Sequence, residues 1–342
     1  MIEAGLVSNA TTVAGVDIGD PAFAAKVRDQ MAAIESLIMT ELAEADPLLF
    51  DCMRQHLFSA GECSRFRPLF TVLSAETGPD PGSDEVILAG AVCELIHLAT
   101  LHHNDVMDEA QKRPGIPRTN VRWENNIAIL AGDYVLATAS RLVSRLGPTA
   151  VRIVAKTFAD LVTGQMRETA GVPEGGDETA HYLKVIGEKN GSLIAATGRL
   201  GAMMSGCKDA QIERVSRLGG IVGIAFQISD DIIDIERRTD ESGKTPGTHL
   251  REGVHSLPVL YALRDPGRGG DRLRVLLAAP ITDDGEVEEA RALLCASGGL
   301  AKAKAVVVDY VDQAKAELAE LPPGAAGEAL RKLTEYTVQH RR

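Results

Sequence analysis

Aromatic side chains are scarce in this chain. Phe, Trp and Tyr make up 4% of 342 residues, with a single Trp, so any cation held against aromatic faces must rely on few of them. Cysteine is sparse as well. Cys52, Cys63, Cys93, Cys207 and Cys295 are odd in number, widely spaced and without a C-x-x-C pair, which excludes a disulfide framework or a zinc finger and fits a reducing cytoplasm. Basic surplus is missing: Lys plus Arg number 36 against 48 Asp plus Glu, a net charge of −12, which argues against a nucleic-acid surface. Met1 to Asp20 lacks the basic start and apolar block of a signal peptide, and apolar runs such as Val86–Cys93 and Gly219–Phe226 are too short to span a bilayer, so no transmembrane segment is expected. Alternating β-branched runs with hairpin turns are absent too.

What is present is helical. Asp20-Pro21 reads as a cap and first-turn pair, followed by Phe23, Val27, Met31, Ile34, Leu37 and Ile38 at helical spacing. Further helical segments run over Asp84–Ala110, Glu124–Leu146, Pro148–Ala170, Thr179–Ser205 and Lys208–Glu236. Glycine- and proline-bearing breaks such as 78–82, 171–177, 265–271 and 321–324 separate them. A hydrophobic share of 45% suffices for a large core. The expectation is an all-α fold: a loosely held tail over 1–19, then one helical domain over 20–342.

Two acidic clusters interrupt strongly apolar helical contexts, His103-Asn104-Asp105-Val106-Met107-Asp108 and Asp230-Asp231-Ile232-Ile233-Asp234. Residues four apart share a helix face, so Asn104 aligns with Asp108 and Asp230 with Asp234. Set across a bundle, the two faces would offer oxygen to a hard cation such as Mg²⁺, with water and substrate phosphate completing the shell. A solvated helix end is the plainer account of any one acidic triplet, but the shared spacing and the apolar stretch before Asp230 weigh against it. A di-iron carboxylate protein is the rival, because Glu94-x-x-His97 fits its ligand spacing. The same spacing recurs at Glu178–His181 and Glu252–His255 beside glycine-rich loops, so the motif is unspecific.

At these residues the chain resembles the trans-isoprenyl (polyprenyl) diphosphate synthases, and most of all the actinobacterial polyprenyl synthetases. The likeness runs from about Ser59 to Leu263 and keeps the motif order, with both aspartate clusters, Phe226-Gln227 and Gly243-Lys244-x-x-Gly247. It implies a single helical bundle of the isoprenoid-synthase type around a metal and diphosphate cavity, a homodimer, and three Mg²⁺ ions with bound diphosphate. The implied chemistry is ionisation of an allylic diphosphate and capture of the cation by isopentenyl diphosphate. The resemblance gives catalytic roles to Asp105, Asp108, Asp230 and Lys189, and metal ligation to Asn104, Asp108, Asp230 and Asp234. Diphosphate contacts fall to Arg113, Lys189, Gln227, Lys244, Arg65 and His97. Such cations and metal offset the charge that develops on a departing diphosphate. Ile96, Ala99, Thr100 and Phe226 would line the hydrocarbon pocket. The small Ala99 and Thr100 leave room for an allylic tail of C15 to C20 or longer, unless they only serve helix packing.

Departures from the family pattern concentrate on the isopentenyl half. Cys63-Ser64-Arg65 stands where the family has Gly-Lys-Arg, and Arg113-Pro114-Gly115 where it has two arginines before the glycine. Losing two charge-assisted donors costs on the order of 3–6 kcal/mol. Asn104 replaces an aspartate, Asn190 a threonine, His249 an aspartate, and Glu124 a glycine. His102, beside His103, reads either as a base near the metal or as a structural histidine.

Four functions stay open. The leading one is a prenyltransferase passing its allylic cation to an acceptor, with impaired use of isopentenyl diphosphate. The others are a class I terpene cyclase, which the low aromatic content disfavours, an ordinary medium- or long-chain polyprenyl diphosphate synthase, and a non-catalytic subunit of a hetero-oligomeric synthase.

Overall fold

The structure, a computed structural model, describes residues 10–59, 65–107, 112–113, 116–117, 119–236 and 247–339. Helix α1 (Pro21–Leu42) begins as its sequence directs: Asp20 caps it by accepting from the Phe23 N–H at 2.7 Å, with Pro21 in the first turn. Such a cap contributes about 1 kcal/mol. There follow α2 (Pro47–Ser59), α3 (Phe66–Ala75), α4 (Asp84–Met107), α5 (Thr119–Ser144) and α6 (Pro148–Ala170). Next come α7 (Glu178–Ile186), a π-helical turn (Gly187–Gly191), α8 (Ser192–Met204) and α9 (Asp209–Glu236). Six further helices follow: α10 (Thr248–Glu252), α11 (Leu257–Leu263), α12 (Arg268–Leu276), α13 (Asp284–Ala296), α14 (Gly298–Ala319) and α15 (Ala325–Gln339). The all-α expectation holds; the strands described are two antiparallel ribbons, β1 (Thr12–Val13) with β2 (Val16–Asp17), and β3 (Lys112–Arg113) with β4 (Ile116–Pro117).

Of the tail expected over 1–19, residues 1–9 lie outside the described residues, and the first ribbon seats the rest on the bundle. Val13, Val16 and Ile18 are buried in the core, and β2 packs on α15. Ala14 and Gly15 turn the chain at positive φ, and burial of the three apolar residues then holds the hairpin down.

Buried apolar side chains fall into two clusters. One gathers α1–α6, α8 and the first half of α9, through Ile212, Val215, Leu218 and Val222. The other gathers α10–α14 with Ile228, Ile232 and Ile235 from the second half of α9. Helix α9 therefore belongs to both. By length and composition alone, α4 and the part of α5 from Val121 could cross a membrane, contrary to the reading of short apolar runs; 72% of the apolar window of α4 lies inside the bundle, and 44% of that of α5. For α4, apolar residues all round mark a core helix.

Helix α5 contains one strained residue. Glu124, which stands where the resembled subfamily has glycine, sits at φ 70 and ψ 158 and kinks the helix. Only glycine reaches that region without strain, which for other residues costs roughly 1–3 kcal/mol.

Candidate active site

Two packing relations bring the two acidic clusters to one end of the bundle. Ser83, just before α4, donates to the Met204 carbonyl at the end of α8 (3.4 Å), and Cys93 pairs with Thr197, so α4 and α8 are antiparallel. Arg199 of α8 reaches Glu213 and Ser216 near the start of α9, while Asn190 reaches Gln227 near its end, so α8 and α9 are antiparallel too. The carboxyl ends of α4 and α9 thus both point toward the π-turn that precedes α8.

That turn explains why the helix expected over Thr179–Ser205 is divided. A π-turn holds an extra residue and is favoured at functional sites because it pushes side chains out of the regular path. Here it sets Asn190 against α9, while Glu188 and Lys189 face α6. Close approach requires glycine on the facing helix: a Cβ on Gly223 would lie 2.9 Å from the Gly191 Cα. Asn190 Nδ2 donates to Gln227 Oε1 (2.6 Å), and Gln227 Nε2 donates to Asp231 Oδ1 (2.8 Å). Lys189 forms an ion pair with Glu168 of α6.

At the end of α9 the aspartates differ. Asp231 is buried and accepts from Tyr182 of α7 on Oδ2 (2.5 Å) as well as from Gln227 on Oδ1. Burial pushes its carboxyl up, against the opposing pull of His249, Tyr182 and Gln227. Burial and the Asp231 charge in turn raise Tyr182 well above the ordinary phenol value, so it serves as a neutral donor. Asp234 accepts the backbone N–H groups of Thr248 and His249, each at 3.1 Å. Burial works against its charge, but contacts with His249 and these N–H groups outweigh it and hold the pKa below the usual range. The His249 ring lies between the two carboxylates, Nδ1 3.3 Å from Asp234 Oδ2 and 3.9 Å from Asp231 Oδ1. Burial alone would lower its pKa; the contact with Asp234 and the charges of Asp231, Asp234 and Glu252 raise it to about 9. Asp230 is half-buried on the same helix end.

The end of α4 is arranged otherwise. Asn104 is half-buried, whereas Asp105 is fully buried and turned onto His56 of α2, Nε2 to Oδ2 2.9 Å. His102 is fully buried with its ring edge-on to His56 at 4.6 Å, which supports the structural reading of that histidine. The neighbouring His103 meets Asp133 at 3.3 Å, over Gly132. Among the expected pocket residues, Ile96 and Ala99 are buried in the core, and the Thr100 hydroxyl donates to the His97 carbonyl (2.7 Å). Phe226 stacks on Phe66 at 5.8 Å, and Phe66 on the buried Phe70 at 5.9 Å. His97 is half-buried on α4.

Arg65 is heavily committed. Its guanidinium pairs with Glu35, lies 3.6 Å from Glu94 and donates to the Leu57 carbonyl at 3.2 Å. Burial pushes the Glu94 carboxyl up, while Arg67 and Arg65 pull it down. Asp108, Lys244, Ser64 and Pro114 lie outside the described residues, as does the side chain of Arg113. Sequence reasoning missed His56 altogether.

The donors fit a hard cation of the Mg²⁺ type, since Asn104, Asp230 and Asp234 offer oxygen. Among the described residues, no three His, Cys, Asp or Glu side chains converge closely enough to hold a metal alone. Oxygen donors divided between two helix ends suit an ion whose shell is completed by phosphate.

The family profile described as Polyprenyl synthetase matches residues 47–294. The chain belongs to that family. It is a prenyltransferase, similar to a nonaprenyl diphosphate synthase of Mycobacterium tuberculosis at 62% identity, with 96% of this chain and 98% of the relative covered. It is 50% identical to a dimethylallyltranstransferase of the same organism, over 95% of this chain and 98% of that one. Among solved structures, geranylgeranyl pyrophosphate synthase from Corynebacterium glutamicum, in complex with calcium and isoprenyl diphosphate, superposes with a TM-score of 0.83 at 48% identity. That match covers 94% of this chain and 98% of the other. The isoprenoid-synthase bundle expected from the resemblance is therefore the fold of this family member.

Proposed function

We propose that this prenyltransferase ionises an allylic prenyl diphosphate of C15 to C20 or longer and passes the cation to an acceptor, using isopentenyl diphosphate weakly. The observation that carries the second half of this reading is Arg65. It is one of two residues left from the isopentenyl subsite, and its charge is already engaged by Glu35 and Glu94. With Ser64 and Pro114 in place of cations, little positive charge remains for a second diphosphate. The first half is supported by Lys189, Gln227 and Asp230 standing at one end of the bundle with Asn104.

In this reading Asn104, Asp108, Asp230 and Asp234 hold up to three Mg²⁺ ions with the diphosphate. The ions supply Lewis-acid stabilisation of the leaving group's charge. Lys189 exchanges Glu168 for diphosphate oxygen, aided by Arg113 and Lys244. Gln227 is held by Asn190 with its N–H₂ toward Asp231. The Phe226–Phe66–Phe70 stack turns an apolar face to the reacting carbon and excludes water. Ile96, Ala99 and Thr100 shape the tail's end of the pocket.

A second reading, ordinary long-chain polyprenyl diphosphate synthesis, is favoured by the 62% identity with the nonaprenyl diphosphate synthase. Incubation with C10, C15 and C20 allylic diphosphates and Mg²⁺, with and without isopentenyl diphosphate, separates the two. Efficient elongation supports the second and overturns the first. Hydrocarbon or alcohol products without isopentenyl diphosphate would indicate a cyclase, and absence of diphosphate release a non-catalytic subunit. Under the first reading, Ser64→Lys with Pro114→Arg tightens isopentenyl diphosphate binding by roughly 10²–10⁴-fold.

We place the enzyme in the cytoplasm as a homodimer. Exposed Ile129 and Leu130 of α5 and Val162 and Met166 of α6, on helices that pack together, supply apolar surface for a second copy.

A further inference from the structure

We propose that His249 is a positioning residue that occupies the space between Asp231 and Asp234 and competes there with a divalent cation, so that this chain holds metal at its second aspartate cluster more weakly than its carboxylates alone would. The inference rests on the metal–diphosphate reading above. Its basis is the commitment of both carboxylate oxygens of Asp231 and of Asp234. Asp231 accepts from Gln227 on one oxygen and Tyr182 on the other. Asp234 accepts one backbone N–H on each. A carboxylate has about four lone-pair sites, so those still open would be the places for a cation bridging the pair. The His249 ring covers them: Nδ1 is 3.3 Å from Asp234 and 3.9 Å from Asp231.

Nδ1 is buried and has Asp234 as its nearest carboxylate. It therefore lies against the carboxylates as a contact group. An N–H aimed at two carboxylates has no lone pair for a metal, whether the ring is charged or is the neutral Nδ1–H tautomer. The backbone of residue 249 is anchored to Asp234 by its own N–H, which fixes the ring in the cleft. Asp231 is in turn held in orientation through Gln227 by Asn190. Two positions at which the chain departs from the family pattern, 190 and 249, thus meet on one pair of carboxylates.

The test is Mn²⁺ binding to the full chain in the presence of inorganic diphosphate at one fixed pH, read as loss of the free Mn²⁺ electron paramagnetic resonance signal. Wild type, His249→Asn and His249→Asp are compared. Both variants are expected to lower the Mn²⁺ Kd at least fivefold, and His249→Asp the more. Thermal melts with and without Mn²⁺ give the second readout. The variants melt lower than wild type without metal and gain more from it, which separates displacement from simple loss of fold. Equal Kd values in all three proteins overturn the role of His249 and leave the metal reading standing. Weaker binding by His249→Asn overturns it as well, since the ring would then be a ligand. Absence of Mn²⁺ binding by all three proteins overturns the metal reading together with the inference.

Discussion

Two helix ends, those of α4 and α9, each bury an aspartate beside a histidine from another element, yet they are built on different terms. Asp105 is fully buried, and its His56 contact is a direct 2.9 Å pair across helices far apart in sequence. Asp231 is met by a phenol and an amide, both neutral, with His249 only 3.9 Å away. A direct buried pair fixes geometry and fails badly when one partner is removed. A network of neutral donors keeps a carboxylate oriented without a direct ion pair.

The largest expected effect is kinetic and belongs to α9. Asp230→Ala should lower diphosphate release at least 10³-fold, about 4 kcal/mol, with the fold intact. Asp105→Asn should show its loss first in stability; an equal kinetic loss at unchanged stability would make the two ends alike. Next comes His56→Ala, which leaves a buried carboxylate without this contact and should destabilise the protein by about 3–5 kcal/mol in urea unfolding. A loss under 1 kcal/mol would show that the α4 pair is no more rigid than the α9 network.

The third effect depends on pH. The pKa of His249 is raised from 6.5 to about 9 on folding. Its contribution is therefore complete below about 6.5 and is lost as pH rises through about 9. In metal-free protein, His249→Asn should be less stable than wild type by about 2–3 kcal/mol at pH 6, with the gap closing by pH 10. A gap that widens with pH would reverse the sign and refute the assignment. The smallest effect lies beside α4. Glu124→Gly relieves the positive φ in α5 and should raise stability by about 1 kcal/mol, measured by thermal melt, without changing Mn²⁺ binding at α9.

Local signals carried much of this architecture. Pro148 after Gly147, and Gly171 at the other end, bound α6 as expected, and Asp20-Pro21 starts α1 as a capped helix. The i, i+4 spacing of Asp230 and Asp234 was legible because it is a property of one helix. What escaped is tertiary. His56 and Asp105 belong to separate helices, and no spacing in the chain announces that α2 will lie over the end of α4. The π-turn is a one-residue excess within a periodic run, decided by how closely Gly191 and Gly223 let two backbones approach. The hairpin at 12–17 was missed because ribbons of two residues leave no alternation to read. Departure from a familiar pattern proved informative at Glu124, where a missing glycine coincides with a strained backbone.

Helix α9 can also be seen in mechanical terms, as an axle running in two bearings. Ile212 to Val222 turn in one apolar cluster, and Ile228 to Ile235 in the other. The short span between them, with Gly223 at one end and Gln227 at the other, bears directly on the π-turn, through the close approach of Gly191 and Gly223 and the Asn190–Gln227 hydrogen bond. The shaft is thus pinned between its two bearings as well as within them, which holds the carboxylates at 230–234 at a set reach from Lys189 and Asn190.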